Sequence, residues 1–273
     1  MSRPAVTEMA EMWRYRGLIG NFVSRELKSK YKHSLLGWGW SLVNPAATLL
    51  VYSLVFSTIF RARPPASHNG MTTYVLYLFI GLVAWNFFNN VVTGGMAALI
   101  GAGPLLKKIY FPAYAPVIGN AFAALVQTLI ESAVLLVVLA ALGNAWWTFI
   151  FAPFILALLL AFAAGIALLF SLFNVFYRDV NYIVGVLLQM VFYATPVIWP
   201  PSQVLTLKHG AAAVHVLSIN PLFQYVEALR DSLWTGQVPS ASRWGWMVLA
   251  AAVSLAVGLF VFSRGARDVS EEL

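Results

Sequence analysis

The sequence contains 273 residues, of which 60% are hydrophobic and only 10% are charged, and its formal net charge is +7. A soluble domain usually carries about 25% charged residues, so the composition excludes a soluble globular protein and indicates a chain that crosses the membrane several times. The sequence has no cysteine, which excludes disulfides, thiolate chemistry and cysteine-bound metals.

The positive charge does not indicate nucleic-acid binding, because the basic residues lie at the ends of apolar runs rather than in one patch. The first 35 residues contain seven Lys and Arg and no long apolar run. This pattern differs from that of a cleavable signal peptide. We therefore expect a chain that is inserted in the membrane rather than secreted.

Residues 1–36 are predicted to form a cytoplasmic amphipathic helix at the membrane interface. From Leu18 onward, apolar and aromatic side chains recur at helical spacing on one face, and the opposite face is basic. A helix of this kind binds in the plane of the lipid headgroups; a solvated helix of a cytoplasmic tail is the alternative. The residues expected to anchor the helix are Arg25, Lys28, Lys30, Tyr31 and Lys32.

Six apolar segments predict an all-α integral membrane protein with a transmembrane domain at 37–263 and a cytoplasmic tail at 264–273. Between the fifth and sixth spans, residues 200–242 contain apolar helical stretches that are too short to cross, which indicates re-entrant or interfacial helices. The spans are predicted at about 37–60, 73–94, 115–142, 147–176, 180–199 and 244–263.

Two of these spans carry a stripe of polar residues at helical spacing. Lipid cannot satisfy such side chains, so each stripe must face another helix or water, and both possibilities stay open. The first span carries Ser41, Asn44, Thr48 and Tyr52, and the fifth carries Asn181, Gly185, Gln189 and Tyr193.

Glu131 is the only acidic residue deep inside a predicted span, which makes it a functional candidate. The simpler interpretation is a hydrogen-bonded packing residue paired with Gln127, one helical turn away.

In the segment before the last span, Asn220 and Pro221 are predicted to start a helix in which Glu227 and Arg230 can pair.

The distribution of Lys and Arg predicts the orientation. Six spans place both termini on one side of the membrane, and twelve of the 17 basic residues fall on that side against five on the other. The positive-inside rule therefore places both termini in the cytoplasm. The basic insert at 98–113 is then cytoplasmic, and residues 200–242 lie on the opposite side.

The sequence shows no enzymatic chemistry. The four histidines are scattered, there is no HExxH and no pair of intramembrane acids, and a metal shared by His209 and His215 is a weaker interpretation than two solvated histidines. A GxxxxGK[ST] loop is also absent, so any ATP and Mg²⁺ must bind to a separate polypeptide. No catalytic residue, metal site or cofactor is predicted in this chain, and the basic insert would serve to dock such an ATPase.

Five motifs, in order along the chain, resemble those of the permease subunits of type-2 ABC exporters that move polysaccharide, O-antigen and teichoic acid. The first is an amphipathic segment that runs into the first span, and the last is a helix before the sixth span. The motifs are RELKSKYKHSLLG at 25–37, LLKKIYFP at 105–112, YRDV at 177–180, TPVIWP at 195–200, and NPL at 220–222 with Glu227 and Arg230.

The resemblance implies a homodimer in the plasma membrane, with each copy docked to a separate ATP-binding subunit. It implies a glycan carried on a polyprenyl diphosphate lipid and taken from the cytoplasmic leaflet, with the first and fifth spans lining the conduit. The alternatives are a type-2 ABC permease for a lipid or drug, and an integral-membrane transferase that acts on polyprenyl-linked sugars.

The resemblance also implies roles for three groups of residues. The residues expected to couple the chain to the ATPase are Leu105, Leu106, Lys107, Lys108, Ile109, Tyr110 and Phe111. The residues expected to line the conduit are Asn44, Thr48, Tyr52, Phe56, Asn181, Gln189, Phe192 and Tyr193. The residues expected to form a gate at the outer mouth are Pro196, Trp199, Asn220, Pro221, Glu227 and Arg230.

Overall fold

A computed structural model describes most of the chain after residue 63. The described residues are 15–31, 39–40, 43, 46–47, 50–51, 54–55, 64–109, 111–266 and 269–272. The first predicted span therefore lies outside the described residues except at isolated positions. The predicted site residues that also lie outside them are Lys32, Asn44, Thr48, Tyr52, Phe56 and Tyr110.

Every regular element within the described residues is a helix. A 3-10 turn, Trp147–Ile150, leads into α5, and a π-turn, Asp231–Thr235, follows α9. The helices are α1 (Arg16–Tyr31), α2 (Tyr74–Gly101), α3 (Gly103–Leu106), α4 (Tyr114–Ala141), α5 (Phe151–Phe176), α6 (Val180–Ala194), α7 (Pro201–Leu205), α8 (Gly210–Leu217), α9 (Pro221–Arg230), α10 (Ala241–Gly265) and α11 (Val269–Glu272).

Four of the described helices are long and apolar enough to cross a bilayer: α2, α4, α5 with its 3-10 turn, and α10. At about 1.5 Å per residue each exceeds the roughly 30 Å of a hydrocarbon core. The predicted fifth span corresponds to α6, an apolar helix of 15 residues that ends at Ala194 rather than at 199. By the same rise α6 is only about 22 Å long.

The centre of the bundle is α2, most of whose side chains are apolar and buried. Its side chains contribute much of the buried core, including Leu78, Ile80 and Phe87, and it contacts α4, α5, α6 and α9. A helix that is hydrophobic all round is expected in the middle of a bundle. In contrast, α4 and α10 keep large apolar side chains exposed along one side, as helices that face lipid do.

The α2 helix ends later than predicted, at Gly101 instead of 94. Gly94 and Gly95 lie inside the helix, where they mark close helix packing. A Cβ at Gly95 would lie 3.1 Å from Cβ of Ala167, and one at Gly94 would lie 2.6 Å from Oδ1 of Asn120. The connection to α4 therefore begins after 101, and residues 98–101 of the predicted coupling segment form the last turn of α2.

Buried hydrogen bonds join three connections at one end of the bundle. The indole Nε1 of Trp234 donates to the carbonyl of Pro65 at 2.7 Å, and Nδ2 of Asn144 donates to the carbonyl of Leu233 at 3.0 Å. We name this end, formed by residues 64–73, 142–147 and 231–240, the distal end. The opposite end, formed by residues 102–113, 177–179 and the described residues after 263, is the proximal end.

Candidate functional site

Arg230 is the last residue of α9, and only 2% of its surface is exposed. Among the described residues it is the most deeply buried basic side chain. Its Nη2 donates to the carbonyl oxygen of Val197 at 2.8 Å, and its Nη1 donates to Oε1 of Glu227 at 3.0 Å and to the carbonyl oxygen of Pro196. A buried charge is tolerated only where such partners replace water. The predicted pairing of Glu227 with Arg230 is thereby confirmed.

The α2 helix provides the surface on which Arg230 rests. The guanidinium carbon Cζ lies 3.7 Å from the ring centroid of Tyr77, a cation–π distance. One helical turn later, a Cβ at Gly81 would lie 2.8 Å from Nη2 of Arg230 and 3.1 Å from the carbonyl oxygen of Val197. The absence of a side chain at Gly81 therefore gives the guanidinium its space.

Neither Tyr77 nor Gly81 belongs to the predicted site. The available signal was their spacing: the two residues are four apart in an apolar span and therefore lie on one helical face. A tyrosine and a glycine on the same face indicate a close polar approach, but they do not identify the group that approaches.

The turn after α6 is fixed by a second set of hydrogen bonds. Oγ1 of Thr195 donates to the carbonyl of Val191 at 2.7 Å and accepts a hydrogen bond from Nδ2 of Asn220 at 2.9 Å. Oδ1 of Asn220 also accepts from the backbone N–H of Leu222 at 3.0 Å and so caps α9, which starts at Pro221 as predicted. One asparagine therefore both starts α9 and holds the end of α6.

Trp199 lies in the same cluster. Its Nε1 donates to the carbonyl of Tyr193 at 3.1 Å, and its ring lies 6.4 Å from that of Phe223, centroid to centroid. The structure thus brings together all six residues of the predicted gate group at the distal end. We name these residues the distal cluster: Pro196, Trp199, Asn220, Pro221, Glu227 and Arg230.

A further ion pair connects α9 to the last long helix. Nη1 of Arg243, in the first turn of α10, donates to Oδ2 of Asp231. Nε of Arg243 also donates to Oε1 of Gln224 at 3.2 Å. Arg243 contacts the side of α9 that faces α10, whereas Arg230 contacts the end of α6.

The α6 helix carries the predicted conduit residues that fall within the described part of the chain. Val184 and Leu188, four residues apart, are buried, and most of the remaining surface is exposed, with Tyr182 at 76% and Tyr193 at 60%. Asn181 and Gln189 are exposed, and Phe192 is half-buried with its ring 5.1 Å from that of Trp85. A narrow apolar stripe therefore attaches α6 to the bundle. The described chain leaves Asn181, Tyr182, Gln189 and Tyr193 exposed.

The basic insert at the proximal end presents a small positive surface on a fixed backbone. Leu106 and Phe111 are buried, Leu105 is half-buried, and Lys107, Lys108 and Ile109 are exposed. Buried anchors on both sides hold the three exposed residues in place. This surface combines two positive charges with one apolar side chain.

The α1 helix packs beside this insert. Ile19 and Phe22 are buried, and the ring of Phe22 lies 5.6 Å from that of Phe111. A Cβ at Gly119, early in α4, would lie 2.5 Å from Cβ of Phe22. On the opposite face Arg25 and Lys28 are exposed; of Lys30 and Tyr31 the structure describes the backbone alone.

Glu131 makes the pairing with Gln127 that the sequence predicted. It is 4% exposed, and its Oε1 accepts a hydrogen bond from Nε2 of Gln127 at 3.1 Å. Within the described residues, no group of three or more His, Asp or Glu is placed to hold a metal ion.

The comparison with known proteins agrees with this arrangement. A family model described as "ABC-2 type transporter" matches residues 18–234. The chain belongs to the ABC-2 type transporter family. It is therefore a multi-pass membrane permease, and the resemblance inferred from the five motifs is confirmed.

Similar proteins cover nearly the whole ABC-2 permease. The O-antigen export system permease protein RfbA of Myxococcus xanthus is 28% identical over 96% of this chain and 98% of its own length. A Klebsiella pneumoniae protein of the same name is 25% identical over 88% and 89% of the two chains. The polysialic acid transport protein KpsM of Escherichia coli is 22% identical over 87% and 89%.

Proposed function

We propose that this permease is the membrane subunit of an ATP-driven exporter that moves a polysaccharide on a polyprenyl diphosphate lipid from the cytoplasmic side across the plasma membrane. The observation that carries the proposal is the set of polar and aromatic side chains on α6 that the described part of the bundle leaves exposed. The names of the relatives, an O-antigen export permease and a polysialic acid transport protein, support a glycan as cargo.

The α6 face suits a conduit between two copies of the chain. Tyr193 and Phe192 offer aromatic surfaces for the apolar C–H faces of sugars, and Asn181 and Gln189 offer amides for their hydroxyl groups. A series of weak and similar contacts lets a repeating polymer move without a deep binding minimum. A second copy that packs with α6 toward α6 would place both faces around one path.

The exposed residues Lys107, Lys108 and Ile109 are proposed to dock the ATP-binding subunit. The family implies such a partner, which would bind ATP and Mg²⁺. Because Leu106 and Phe111 anchor the insert in the bundle, a push on the exposed residues would be transmitted to α1 and α4. The proximal end would then be cytoplasmic, as would both termini, in agreement with the distribution of Lys and Arg.

The distal cluster is proposed to form the outer gate. The α7 and α8 helices, which lead from α6 to α9, are short and pack mainly against each other. They keep apolar side chains exposed, among them Leu205, Leu207 and Val216. Short helices with little packing can move at low cost compared with the long helices of the bundle.

Depletion of the permease in its own cells tests the cargo. We expect a polyprenyl-diphosphate-linked glycan to accumulate on the cytoplasmic side, where mass spectrometry of the lipid extract identifies its sugars. Re-expression should clear the accumulated species. Accumulation of a lipid or drug without a glycan would favour the alternative permease function, and loss of the lipid-linked glycan itself would favour a transferase.

A further inference from the structure

Arg230 connects three elements that are far apart in the chain. Its two terminal nitrogens donate to the consecutive carbonyls of Pro196 and Val197, just beyond α6. Nη1 also pairs with Glu227 in α9, and the guanidinium carbon Cζ lies over the ring of Tyr77 in α2. The end of α6 is therefore fastened to both α9 and α2 through one side chain.

The geometry requires arginine rather than lysine. A guanidinium has five donors in a planar fork, so two nitrogens can reach two carbonyls while the flat face contacts an aromatic ring. A lysine ammonium is a single nitrogen at the end of a flexible chain and cannot make both contacts together. Gly81 adds to this requirement, since any larger residue there would fill the space of the guanidinium.

The remainder of α6 is weakly attached. Only Val184 and Leu188 are buried along its 15 residues, and the contact between Phe192 and Trp85 lies near the same end as Arg230. Val180, Val191 and Phe192 add half-buried contacts with the core. The side-chain hydrogen bonds that join this segment to α9 lie at its distal end.

We infer that Arg230 is a positioning residue that fixes the distal end of α6 and thereby the orientation of Gln189 and Tyr193. That Gln189 and Tyr193 line a conduit rests on the proposed function, whereas the anchoring of α6 by Arg230 is independent of what the permease carries. Arg243 offers a matched comparison, because it is also paired with a carboxylate at the distal end but contacts α9 rather than the turn after α6.

Hydrogen exchange on the full chain in lipid nanodiscs measures the anchoring directly. In Arg230→Lys we expect the amides of residues 192–199 to exchange about tenfold faster, the factor for one lost hydrogen bond to a charged group. Amides of α5 and α10 should keep their protection, and Arg243→Lys should leave residues 192–199 unchanged. Unchanged exchange at 192–199 in Arg230→Lys, or equal acceleration in both variants, would overturn the inference.

A second pair of variants keeps the inference testable if Arg230→Lys does not fold. Tyr77→Phe retains the ring beneath the guanidinium, and Tyr77→Leu removes it. We expect exchange at 192–199 to rise at least threefold in Tyr77→Leu, because a buried cation–π contact contributes more than an exposed one, and to stay unchanged in Tyr77→Phe. Identical exchange in the two variants would contradict the anchoring.

Export assays with the ATP-binding partner test the consequence for transport. Arg230→Lys should reduce glycan export while ATP hydrolysis continues, and Arg243→Lys should export normally. Faster exchange at 192–199 combined with normal export would show that Arg230 anchors α6 but has no role in transport. Because hydrogen exchange needs no cargo, an error in the proposed function would leave the exchange result intact.

Discussion

Gly165 of α5 and Ser254 of α10 lie against each other with no space for a side chain at position 165. A Cβ at Gly165 would lie 2.5 Å from Oγ of Ser254, which donates a hydrogen bond to the carbonyl of Phe162 at 2.7 Å. One turn further along α10, a Cβ at Gly258 would lie 2.8 Å from Cα of Gly165. Small residues let helices approach this closely where lipid supplies no hydrophobic driving force between them.

Gly165→Ala should therefore push α5 and α10 apart, because the atoms that the new methyl group meets include rigid backbone. Overpacking of this kind costs about 1–3 kcal/mol, and we expect a lower melting temperature for the purified protein in detergent. Gly245→Ala, near the start of α10, is the matched control, because a Cβ there meets nothing within 4 Å. Equal melting temperatures for the two variants would contradict the close packing.

The contact between Phe22 and Phe111 should hold α1 against the coupling insert. An aromatic pair contributes about 0.5–1.5 kcal/mol beyond its buried area, so we expect faster hydrogen exchange along α1 in Phe111→Ala. Phe154→Ala removes an aromatic ring that is 60% exposed on α5 and should leave α1 protected. Unchanged exchange in α1 after Phe111→Ala would show that other contacts hold this helix.

The double variant Lys107→Glu, Lys108→Glu should uncouple ATP hydrolysis from export. It reverses two exposed charges on the proposed docking surface and leaves the buried anchors Leu106 and Phe111 in place. ATPase stimulation and export are measured with the partner subunit, and the double variant Lys107→Arg, Lys108→Arg, which keeps both positive charges, is the control. Normal export by the Lys107→Glu, Lys108→Glu variant would contradict the proposal that this insert couples the permease to the ATPase.

Tyr193→Ala should lower the export rate without changing ATP binding by the partner subunit. The substitution removes an exposed aromatic surface that we place in the conduit. Trp246→Ala removes an exposed aromatic residue from α10, on a surface assigned to lipid, and should export normally. A similar loss of export in both variants would indicate a general effect of exposed aromatic residues rather than a conduit.

The sequence predicted those parts of the fold that depend on local pattern. Helical spacing gave the pairs Glu227–Arg230 and Gln127–Glu131, and Asn220-Pro221 gave the start of α9, because each involves residues within one helical turn. The long apolar helices followed from composition alone.

The contacts that could not be predicted from the sequence join residues that are distant in the chain. Tyr77 and Gly81 precede Arg230 by about 150 residues, and no local pattern links them to it. The sequence predicts that the second span ends at about 94, but the helix continues through Gly94 and Gly95 to Gly101. In the structure these glycines allow α4 and α5 to approach α2, a use that only the packing shows.

The most direct test of the central claim is transport by the purified permease together with its ATP-binding partner in sealed proteoliposomes. The outer leaflet would be loaded with a lipid-linked glycan extracted from depleted cells, and a soluble glycosidase would report how much glycan remains outside. ATP should protect the glycan from the enzyme, and the partner with an inactive ATPase site should not. Equal accessibility of the glycan with and without ATP hydrolysis would contradict the account.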